Sequence, residues 1–349
     1  MQFLRLNPMA SEAASGPAIQ SEDPGAVDRA IRCLRQGGLV IFPTETVYGI
    51  GADGLQAASV NRIFEAKRRP LGHPLILHVS GLPMARALAA HWTETAQRLA
   101  EAYWPGPLTL VLPASPLVPM EVRGGGPTVA LRMPAHRTAL AIIRGLDRPV
   151  AAPSANRHQG VSPTTAQHAA DELGNAADLI LDGGPCEQGL ESTVVDLSGG
   201  QPRILRPGPI SSRMLRGWAS LAEDRPANGG PRLSPGLSPR HYAPHMPLRV
   251  CDEPEADAAR LRAAGLRVAR LARAPVDGLR QEGDRWELPC SALGFSRGLY
   301  AALHAIQASE PDCLVVDAPP EGPAWEAVRD RLRRAAHPAS TSTSEPSHL

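Results

Sequence analysis

The chain has 349 residues, a formal net charge of +1 and 43% hydrophobic residues. This length allows two domains of roughly 100–200 residues each, and the near-neutral charge excludes a global attraction to nucleic acid or to a membrane surface. No stretch reaches the roughly 18 apolar residues of a membrane span. Residues 1–20 also lack the basic-then-apolar order of a signal peptide. We therefore predict a cytoplasmic protein with no membrane association.

The cysteine and lysine content restricts the kinds of site that the chain is expected to contain. Five cysteines are scattered along the chain without a Cys-x-x-Cys pair, which argues against a disulfide framework and a structural zinc site. Lysine and arginine together number 36, yet Lys67 is the only lysine. Lysine is a compact point charge, whereas arginine is a wide planar fork. A single lysine kept among so many arginines indicates a position that the fork does not fill, and chance is the alternative explanation.

The first part of the chain alternates between helical periodicity and short apolar runs. After a loose extension at residues 1–20, a helix is predicted from Asp23-Pro24 to the Gly37-Gly38 stop. Strands outnumber helices later, so residues 21–222 are predicted to form an α/β domain with a mixed sheet. Further helices are predicted at 59–67, at 85–103 with a break near 91–93, and at 163–173. Strands are predicted at 39–42, 75–79, 108–112, 128–132, 150–152, 179–181, 193–197 and 203–205.

The composition changes at residues 223–247, where Pro, Gly, Arg and Ser dominate. Such a composition predicts an extended linker. Beyond it, strands and helices alternate, which predicts a small βαβ domain with a parallel sheet at 248–337. The Ser/Thr-rich tail at 338–349 is predicted to be disordered. The predicted strands of the second domain are 248–251, 267–271 and 314–317, and its predicted helices are 256–264, 297–308 and 324–335.

Polar side chains follow several predicted strands. The segment PTETVYGIG at 43–51 comes after a buried strand, and strand ends are where open α/β sheets bind ligands. Lys67 and Arg69 form a pair suited to phosphate, although cations at a helix end are also explained by the helix dipole. Ser162 is predicted to lie at a helix N-terminus, a natural phosphate site. The pattern GxxxxGK[ST] does not occur, and no GxGxxG opens the chain.

Taken in order, five segments resemble the YrdC-type threonylcarbamoyl-AMP synthase family. The segment SPGLSPRHYAP at 234–244 and the domain after it resemble the longer, two-domain form of that family. The five segments are PTETVYGIG (43–51), KRRPLGHPLILHV (67–79), SAN (154–156) followed by Ser162-Pro163, ESTVVD (191–196) and ILRPG (204–208).

This resemblance implies a YrdC-like twisted, mixed, open α/β sheet with a positively charged concave face, followed by a small Rossmann-like C-terminal domain. It implies a nucleotidyltransferase that forms L-threonylcarbamoyladenylate and pyrophosphate from L-threonine, bicarbonate and ATP. Mg²⁺ is expected with the ATP, without assigned protein ligands. A separate threonylcarbamoyl transferase complex is expected to modify tRNA at the adenosine next to the anticodon, and weak RNA binding by this chain itself is left open.

The resemblance also assigns site residues, position by position. The linker with its tyrosine is expected to act as a lid that excludes water from the unstable carbamate, while cations neutralise the phosphates. Arg68 either adds phosphate affinity or points to solvent. The implied catalytic residues are Lys67, Arg69, Ser154 and Asn156. The implied ATP contacts are Lys67, Arg69, His73, Thr128, Ser154, Ser162, Arg206 and Tyr242. The implied L-threonine contacts are Thr46, His78, Arg132, Ser192 and the backbone near Ala152.

Two other functions remain open from the sequence. A carbamoyl-adenylate module of the kind used in hydrogenase maturation has a similar core, but such proteins carry zinc-finger regions, and the lack of Cys-x-x-Cys pairs argues against it. A non-enzymatic RNA-binding protein could use the same basic concavity. The near-neutral charge and the lack of aromatic stacking motifs argue against that alternative.

Overall fold

The computed structural model describes residues 17–21, 23–218, 220–222 and 238–338. The α-helices are α1 (Pro24–Arg35), α2 (Ala57–Lys67), α3 (Leu82–Leu88), α4 (Glu94–Tyr103), α5 (Met120–Arg123), α6 (Arg137–Leu146), α7 (Ala166–Leu173), α8 (Ser212–Arg216), α9 (Pro254–Ala263), α10 (Ala292–Ala308) and α11 (Glu326–Ala335). The strands are β1 (Ile19–Ser21), β2 (Val40–Phe42), β3 (Gly49–Asp53), β4 (Ile76–His78), β5 (Leu108–Pro113), β6 (Thr128–Arg132), β7 (Val150–Ala151), β8 (Leu179–Asp182), β9 (Thr193–Asp196), β10 (Arg203–Arg206), β11 (Leu248–Cys251), β12 (Val268–Ala274), β13 (Arg280–Glu282), β14 (Arg285–Pro289) and β15 (Cys313–Asp317).

A mixed sheet of ten strands forms the first unit, in the order β1-β8-β2-β3-β7-β4-β6-β5-β9-β10. Its pairings are both parallel, as between β4 and β6, and antiparallel, as between β5 and β6. The core is built mainly from Leu, Ile, Val and Ala side chains, as expected for a chain with 4% aromatic residues. The predicted mixed α/β fold is confirmed.

Strand β3 was missed because its sequence, Gly-Ile-Gly-Ala-Asp, has little of the β-branched content that signals a strand. It pairs antiparallel with β2, and Gly51 lies opposite Val40. A Cβ at Gly51 would lie 2.5 Å from the Phe42 ring. The glycine thus lets the aromatic side chain lie flat against the neighbouring strand.

The prediction of a loose extension over residues 1–20 is wrong where the structure describes it. Ile19 and Gln20 belong to β1, which pairs in parallel with β8, Ile19 lying opposite Ile180. This pairing is between residues far apart in sequence, so local composition gave no sign of it. Residues 1–16 lie outside the described residues.

The second sheet has five strands in the order β11-β15-β12-β14-β13. The pairs β11–β15 and β12–β15 are parallel, as predicted. Strand β12 also pairs in parallel with β14, a strand that was not predicted. The hairpin of β13 and β14 was not predicted, and it adds an antiparallel edge. A turn centred on Gly283, with φ of 61°, connects the two hairpin strands.

The described end of the predicted linker, 238–247, is folded against both units. Tyr242 is 1% exposed, and its amino-acid neighbour Ala243 donates its backbone N–H to Gln159 O over 3.0 Å. Val47 and Leu190 of the first unit belong to the same apolar cluster as the second unit's core. The two units therefore share buried surface. Residues 223–237, the rest of the predicted linker, and 339–349 of the predicted tail lie outside the described residues.

No helix in the described parts of the chain is long and apolar enough to cross a membrane.

Candidate active site

A cavity of about 630 Å³, its mouth included, lies over the middle of the ten-stranded sheet. Strands β4 and β6 run parallel beneath it, with His78 opposite Arg132 at their carboxyl ends. Its walls also include the loop after β2, the loop after β7 and the folded linker. The lining residues are Thr44, Thr46, Val47, Gly49, Lys67, Arg69, Ile76, His78, Arg132, Ala152, Pro153, Ser154, Asn156, Arg157, His158, Gln159, Glu191, Ser192, Arg206, His241 and Tyr242.

Lys67 ends α2 and is 2% exposed. Its Nζ donates to Ser154 O over 2.5 Å and to Asn156 O. Burial lowers the pKa of Lys67 well below its usual value, and the charge of Arg69 lowers it further. Two backbone carbonyls therefore hold the amine at the cavity wall. This position suits a compact donor such as the amine of lysine.

A left-handed residue separates Lys67 from Arg69. Arg68 has φ of 51° and is exposed, so its side chain points to solvent. The backbone N–H of Arg69 donates to Phe64 O over 2.9 Å, which closes the end of α2. Arg69 is 7% exposed, and its Nη2 donates to Pro74 O over 3.1 Å. The reversal at Arg68 places Lys67 and Arg69 on the same cavity wall.

The loop after β7 carries Ser154 and Asn156. Ser154 forms an isolated antiparallel β-bridge with Gly49, the first residue of β3. The side-chain amide of Asn156 donates to Arg157 O over 2.8 Å and to Gly160 O over 2.9 Å, so the loop is closed by its own side chain. These bonds fix both carbonyls that hold the Lys67 amine.

Arg132 and His78 define another end of the cavity. The Nη2 of Arg132 lies 2.7 Å from Glu45 Oε1, and both side chains are about 4–5% exposed. Burial, and then the charge of Arg132, lowers the pKa of His78 to about 3, so this imidazole is neutral near pH 7. A guanidinium beside a neutral imidazole is suited to a carboxylate with a neighbouring hydroxyl.

Short hydroxyl contacts surround this end. The Oγ1 atoms of Thr44 and Thr46 lie 2.8 Å apart. Ser192 Oγ lies 2.7 Å from Thr109 Oγ1, and the Nη2 of Arg206 donates to Ser192 O over 2.9 Å. Arg206 is 3% exposed. The hydroxyls and the arginine of the neighbouring strands are thereby held together at the wall.

Glu191 connects the cavity to the second unit. Ser162 Oγ donates to Glu191 Oε1 over 2.5 Å, while Tyr300 and Arg331 donate to Oε2 over 3.0 and 2.9 Å. Burial alone would raise the pKa of Glu191, but Arg331 and Arg206 hold it below its usual value. Glu191 is thus a carboxylate that accepts donors from both units.

The linker contributes Tyr242, whose ring lies under the guanidinium of Arg331, 4.8 Å from its Cζ. It also stacks on Tyr300 with centroids 5.9 Å apart and contacts His241 at 4.0 Å. Tyr242 has φ of 59°, a left-handed conformation that is uncommon for a bulky residue. This backbone reversal allows the ring to reach the domain boundary, and His241 and Tyr242 both line the cavity.

The structure brings most of the predicted site residues together. Every predicted catalytic residue and every predicted threonine contact lines the cavity, as do Arg206 and Tyr242. His73 stands behind His158, with ring centroids 5.1 Å apart, and Ser162 reaches the wall through Glu191. Thr128 is buried at the start of β6 and does not line the cavity, whereas Arg132 at the other end of that strand does.

One positional prediction is wrong. Ser162 does not lie at a helix N-terminus, because α7 begins at Ala166. Thr165 is the N-cap, since its side chain accepts from the backbone N–H of His168. Ser162 lies in the preceding loop, where its hydroxyl is occupied by Glu191.

Several lining residues were missed from the sequence. His158 follows the quoted SAN segment, His241 precedes Tyr242, and Glu191 begins the quoted ESTVVD segment. Glu45 lies behind Arg132 within PTETVYGIG. Each lay inside or beside a segment already singled out, but nothing local indicated which way its side chain would point.

The described residues hold no group of three or more His, Cys, Asp or Glu side chains arranged to bind a metal ion. The carboxylate at the cavity wall, Glu191, already accepts from Ser162, Tyr300 and Arg331. The donor set of the cavity therefore fits anions better than Mg²⁺.

Comparison with known proteins matches both units. A family model for Sua5, YciO and YrdC proteins, described as telomere recombination, matches residues 32–208. A model described as the threonylcarbamoyl-AMP synthase C-terminal domain matches residues 210–337. The threonylcarbamoyl-AMP synthase of Pyrococcus abyssi is 38% identical over 315 residues, which cover 87% of this chain and 92% of that protein. The Bacillus subtilis protein of the same name is 36% identical, over 91% of this chain and 94% of its own length.

A solved structure agrees with these matches. The crystal structure of P. abyssi Sua5 complexed with L-threonine superposes with a TM-score of 0.82 at 35% identity. The superposition covers 90% of this chain and 96% of that one. The similarity therefore spans both units as well as the ten-stranded sheet.

Proposed function

The chain belongs to the two-domain Sua5 family of threonylcarbamoyl-AMP synthases, and we propose how its cavity holds L-threonine, bicarbonate and ATP. It is a nucleotidyltransferase that forms L-threonylcarbamoyladenylate and releases pyrophosphate. The observation that carries the assignment of substrates to the cavity is its polarity. Lys67, Arg69 and Arg206 all lie near His241, whose pKa they lower, whereas Arg132 lies beside His78.

The amino acid is placed at the Arg132 end. The planar fork of Arg132 binds the threonine carboxylate through two oxygens. Neutral His78 and the hydroxyls of Thr46 and Ser192 exchange hydrogen bonds with the hydroxyl and the amine of the threonine. The backbone near Ala152 closes this end. Support comes from the P. abyssi protein, whose structure was solved with L-threonine.

The triphosphate is placed at the Lys67 end. The neutral α-amine of threonine attacks the bicarbonate carbon, and the C–OH bond breaks with loss of water to leave a carbamate. A carbamate oxygen then attacks the α-phosphate of ATP, and the bond from the α-phosphorus to the bridging oxygen breaks with loss of pyrophosphate. Lys67, Arg69 and Arg206 neutralise the negative charge that moves onto the leaving group. Ser154 and Asn156 hold the amine of Lys67 in place through their carbonyls.

Tyr242 and the folded linker cover the cavity, which limits water access. A carbamate decomposes readily in water, so a covered site favours its transfer to phosphate. Opening of the linker would admit ATP and release the product. This motion is part of the proposal, and its motivation is that Tyr242 lines the cavity at 1% exposure.

Mg²⁺ is proposed to enter as the complex with ATP, held by phosphate oxygens and water. No protein ligand is assigned to it, since the carboxylate of Glu191 is occupied. The adenylate product is proposed to pass to a threonylcarbamoyl transferase complex that modifies tRNA. Weak RNA binding by this chain and a cytoplasmic location also remain proposals.

Pyrophosphate release from ATP should require both L-threonine and bicarbonate. The assay omits each substrate in turn and detects the adenylate by mass spectrometry. Equal pyrophosphate release without threonine would overturn the function. Turnover with carbamoyl phosphate in place of threonine and bicarbonate would favour the carbamoyl-adenylate alternative.

A further inference from the structure

Three imidazole rings form a row in space near the part of the cavity that is lined by Lys67 and Arg69. His73 packs edge-on against His158, with centroids 5.1 Å apart, and His158 packs edge-on against His241 at 6.3 Å. His158 and His241 line the cavity together with Lys67 and Arg69. The middle ring, His158, therefore lines the same cavity as the two residues assigned to phosphate.

The backbone of His158 is fixed from several sides. Its N–H donates to Lys67 O over 3.0 Å, which joins it to the end of α2. The amide of Asn156 bonds to carbonyls on both sides of His158. The next residue, Gln159, has φ of 70°, and its carbonyl accepts from Ala243 of the linker. His158 thus sits on a closed loop between the phosphate wall and the linker that covers it.

The charges around His241 oppose a second positive charge. Burial lowers the pKa of His241 well below its usual value. Four neighbouring groups lower this pKa further, in decreasing order of effect: Arg69, His158, Lys67 and Arg206. All four of these neighbours are cationic or can become so, and none can compensate a protonated imidazole. An incoming polyphosphate brings several negative charges into this group, so it favours protonation of the imidazoles.

We propose that His158 is a further phosphate-binding residue of this chain, and that His158 and His241 together take up a proton when ATP or pyrophosphate enters. This inference rests on the proposed function, since it places the polyphosphate at the Lys67 end. The protonated imidazole donates to a phosphate oxygen, and it returns the proton to solvent when pyrophosphate leaves. Affinity for pyrophosphate then rises as the pH falls, by tenfold per pH unit for each proton taken up.

Binding of inorganic pyrophosphate to the full chain without Mg²⁺ tests this inference. Titration calorimetry at pH 6, 7 and 8, in buffers with different ionisation enthalpies, gives the affinity and the number of protons taken up. His158→Gln retains hydrogen bonding but does not titrate. His91→Gln is the matched control, because His91 is exposed in the turn between α3 and α4. Ionisation of pyrophosphate itself is common to all three proteins and cancels in the comparison.

We expect wild type and His91→Gln to take up more protons than His158→Gln. Their affinity advantage over His158→Gln should widen as the pH falls from 8 to 6, by up to about 100-fold if one full proton is taken up across that range. Equal proton uptake and an unchanged affinity ratio in His158→Gln would overturn the role of His158. Threonine- and bicarbonate-dependent turnover would be intact in that case, which separates this failure from a failure of the proposed function. If turnover were absent as well, both would be overturned.

Discussion

Arg331 of α11 donates its Nε to Glu191 Oε2 over 2.9 Å, with the two side chains 1% and 8% exposed. The contact joins the second unit to a residue that lines the cavity of the first. Glu191 also accepts a hydrogen bond from Ser162. One carboxylate therefore connects the second unit to the wall of the cavity. Packing of Arg331 over Tyr242 extends the same connection to the linker.

Arg331→Met should destabilise the protein and reduce turnover. The apolar side chain leaves Glu191 as a buried charge with fewer donors, and breaking a buried pair costs about 3–5 kcal/mol. Loss of alignment at Ser162 and Tyr242 should lower kcat/KM by on the order of 100-fold. Urea unfolding and the pyrophosphate assay measure the two effects.

Arg329→Met is the matched control for this experiment. Arg329 lies on the same helix with its side chain 45% exposed, beside Glu321, whose side chain is 91% exposed. Such surface pairs contribute about 0–1 kcal/mol, so this variant should behave as wild type. Equal effects of the two substitutions would show that the Glu191 contact has no special role.

Replacement of Lys67 by arginine should abolish most turnover, although the charge is kept. The amine fits between the carbonyls of Ser154 and Asn156 at 2% exposure, and the larger guanidinium has no room there. Arg68→Lys, at the exposed neighbouring position, keeps Lys67 and should remain active. A fully active Lys67→Arg enzyme would mean that the single lysine is a matter of composition alone.

The ionisation of Lys67 can be measured directly, because no other lysine contributes a signal. With 15N-labelled lysine, NMR titration of the side-chain amine should give a pKa well below the usual value of 10.5. Since burial is the largest cause, the unfolded chain binds the proton more readily, and this group's contribution to stability increases as pH rises from the folded pKa toward 10.5. Pyrophosphate should raise the pKa of Lys67. An ordinary pKa in the empty enzyme would contradict the buried position.

Substitution of Arg132 by lysine should weaken threonine binding selectively. A lysine cannot bind two carboxylate oxygens in a plane or keep both the Glu45 and Gly106 contacts. We expect the KM for L-threonine to rise by about tenfold or more, on the order of 1.4 kcal/mol or above, while the KM for ATP stays within about twofold. Arg144→Lys, at an exposed position of α6, is the control. A rise confined to the KM for ATP would place the amino acid elsewhere.

A stacked histidine pair should make the domain contact sensitive to acid. His168 of α7 and His304 of α10 stack with centroids 4.1 Å apart, and His304 Nε2 lies 3.2 Å from Ser162 O. Burial, and then His304, lowers the pKa of His168 to about 4. Asp171 opposes this shift, while His245 adds to the positive surroundings of His304.

The folded protein therefore resists protonation of His168 between pH 6.5 and 4, whereas the unfolded chain accepts it. The free energy of unfolding should fall as pH falls through this window. His168→Gln should lose part of that dependence in urea unfolding at pH 7.5, 6 and 5, and His91→Gln should retain all of it. The same slope in all three proteins would exclude the stacked pair as the cause.

The sequence by itself determined the α/β class, the strand ends that carry polar residues, and the pairing of Lys67 with Arg69. These follow from local patterns, because periodicity and turn residues act over a few neighbours. The quoted segments also carried the family resemblance, so the residues of the Lys67 and Arg132 ends could be named before their positions were known.

Only the tertiary structure decided how distant segments meet. Strand β1 depends on pairing with β8, and Glu191 depends on Arg331, which lies 140 positions later in the chain. The placement of His158 and His241 in one cluster depends on the fold of the linker. Such contacts arise from packing between elements and leave no periodic signal in either segment. The sequence named the chemistry of the cavity, and the packing between distant elements decided which side chains face it.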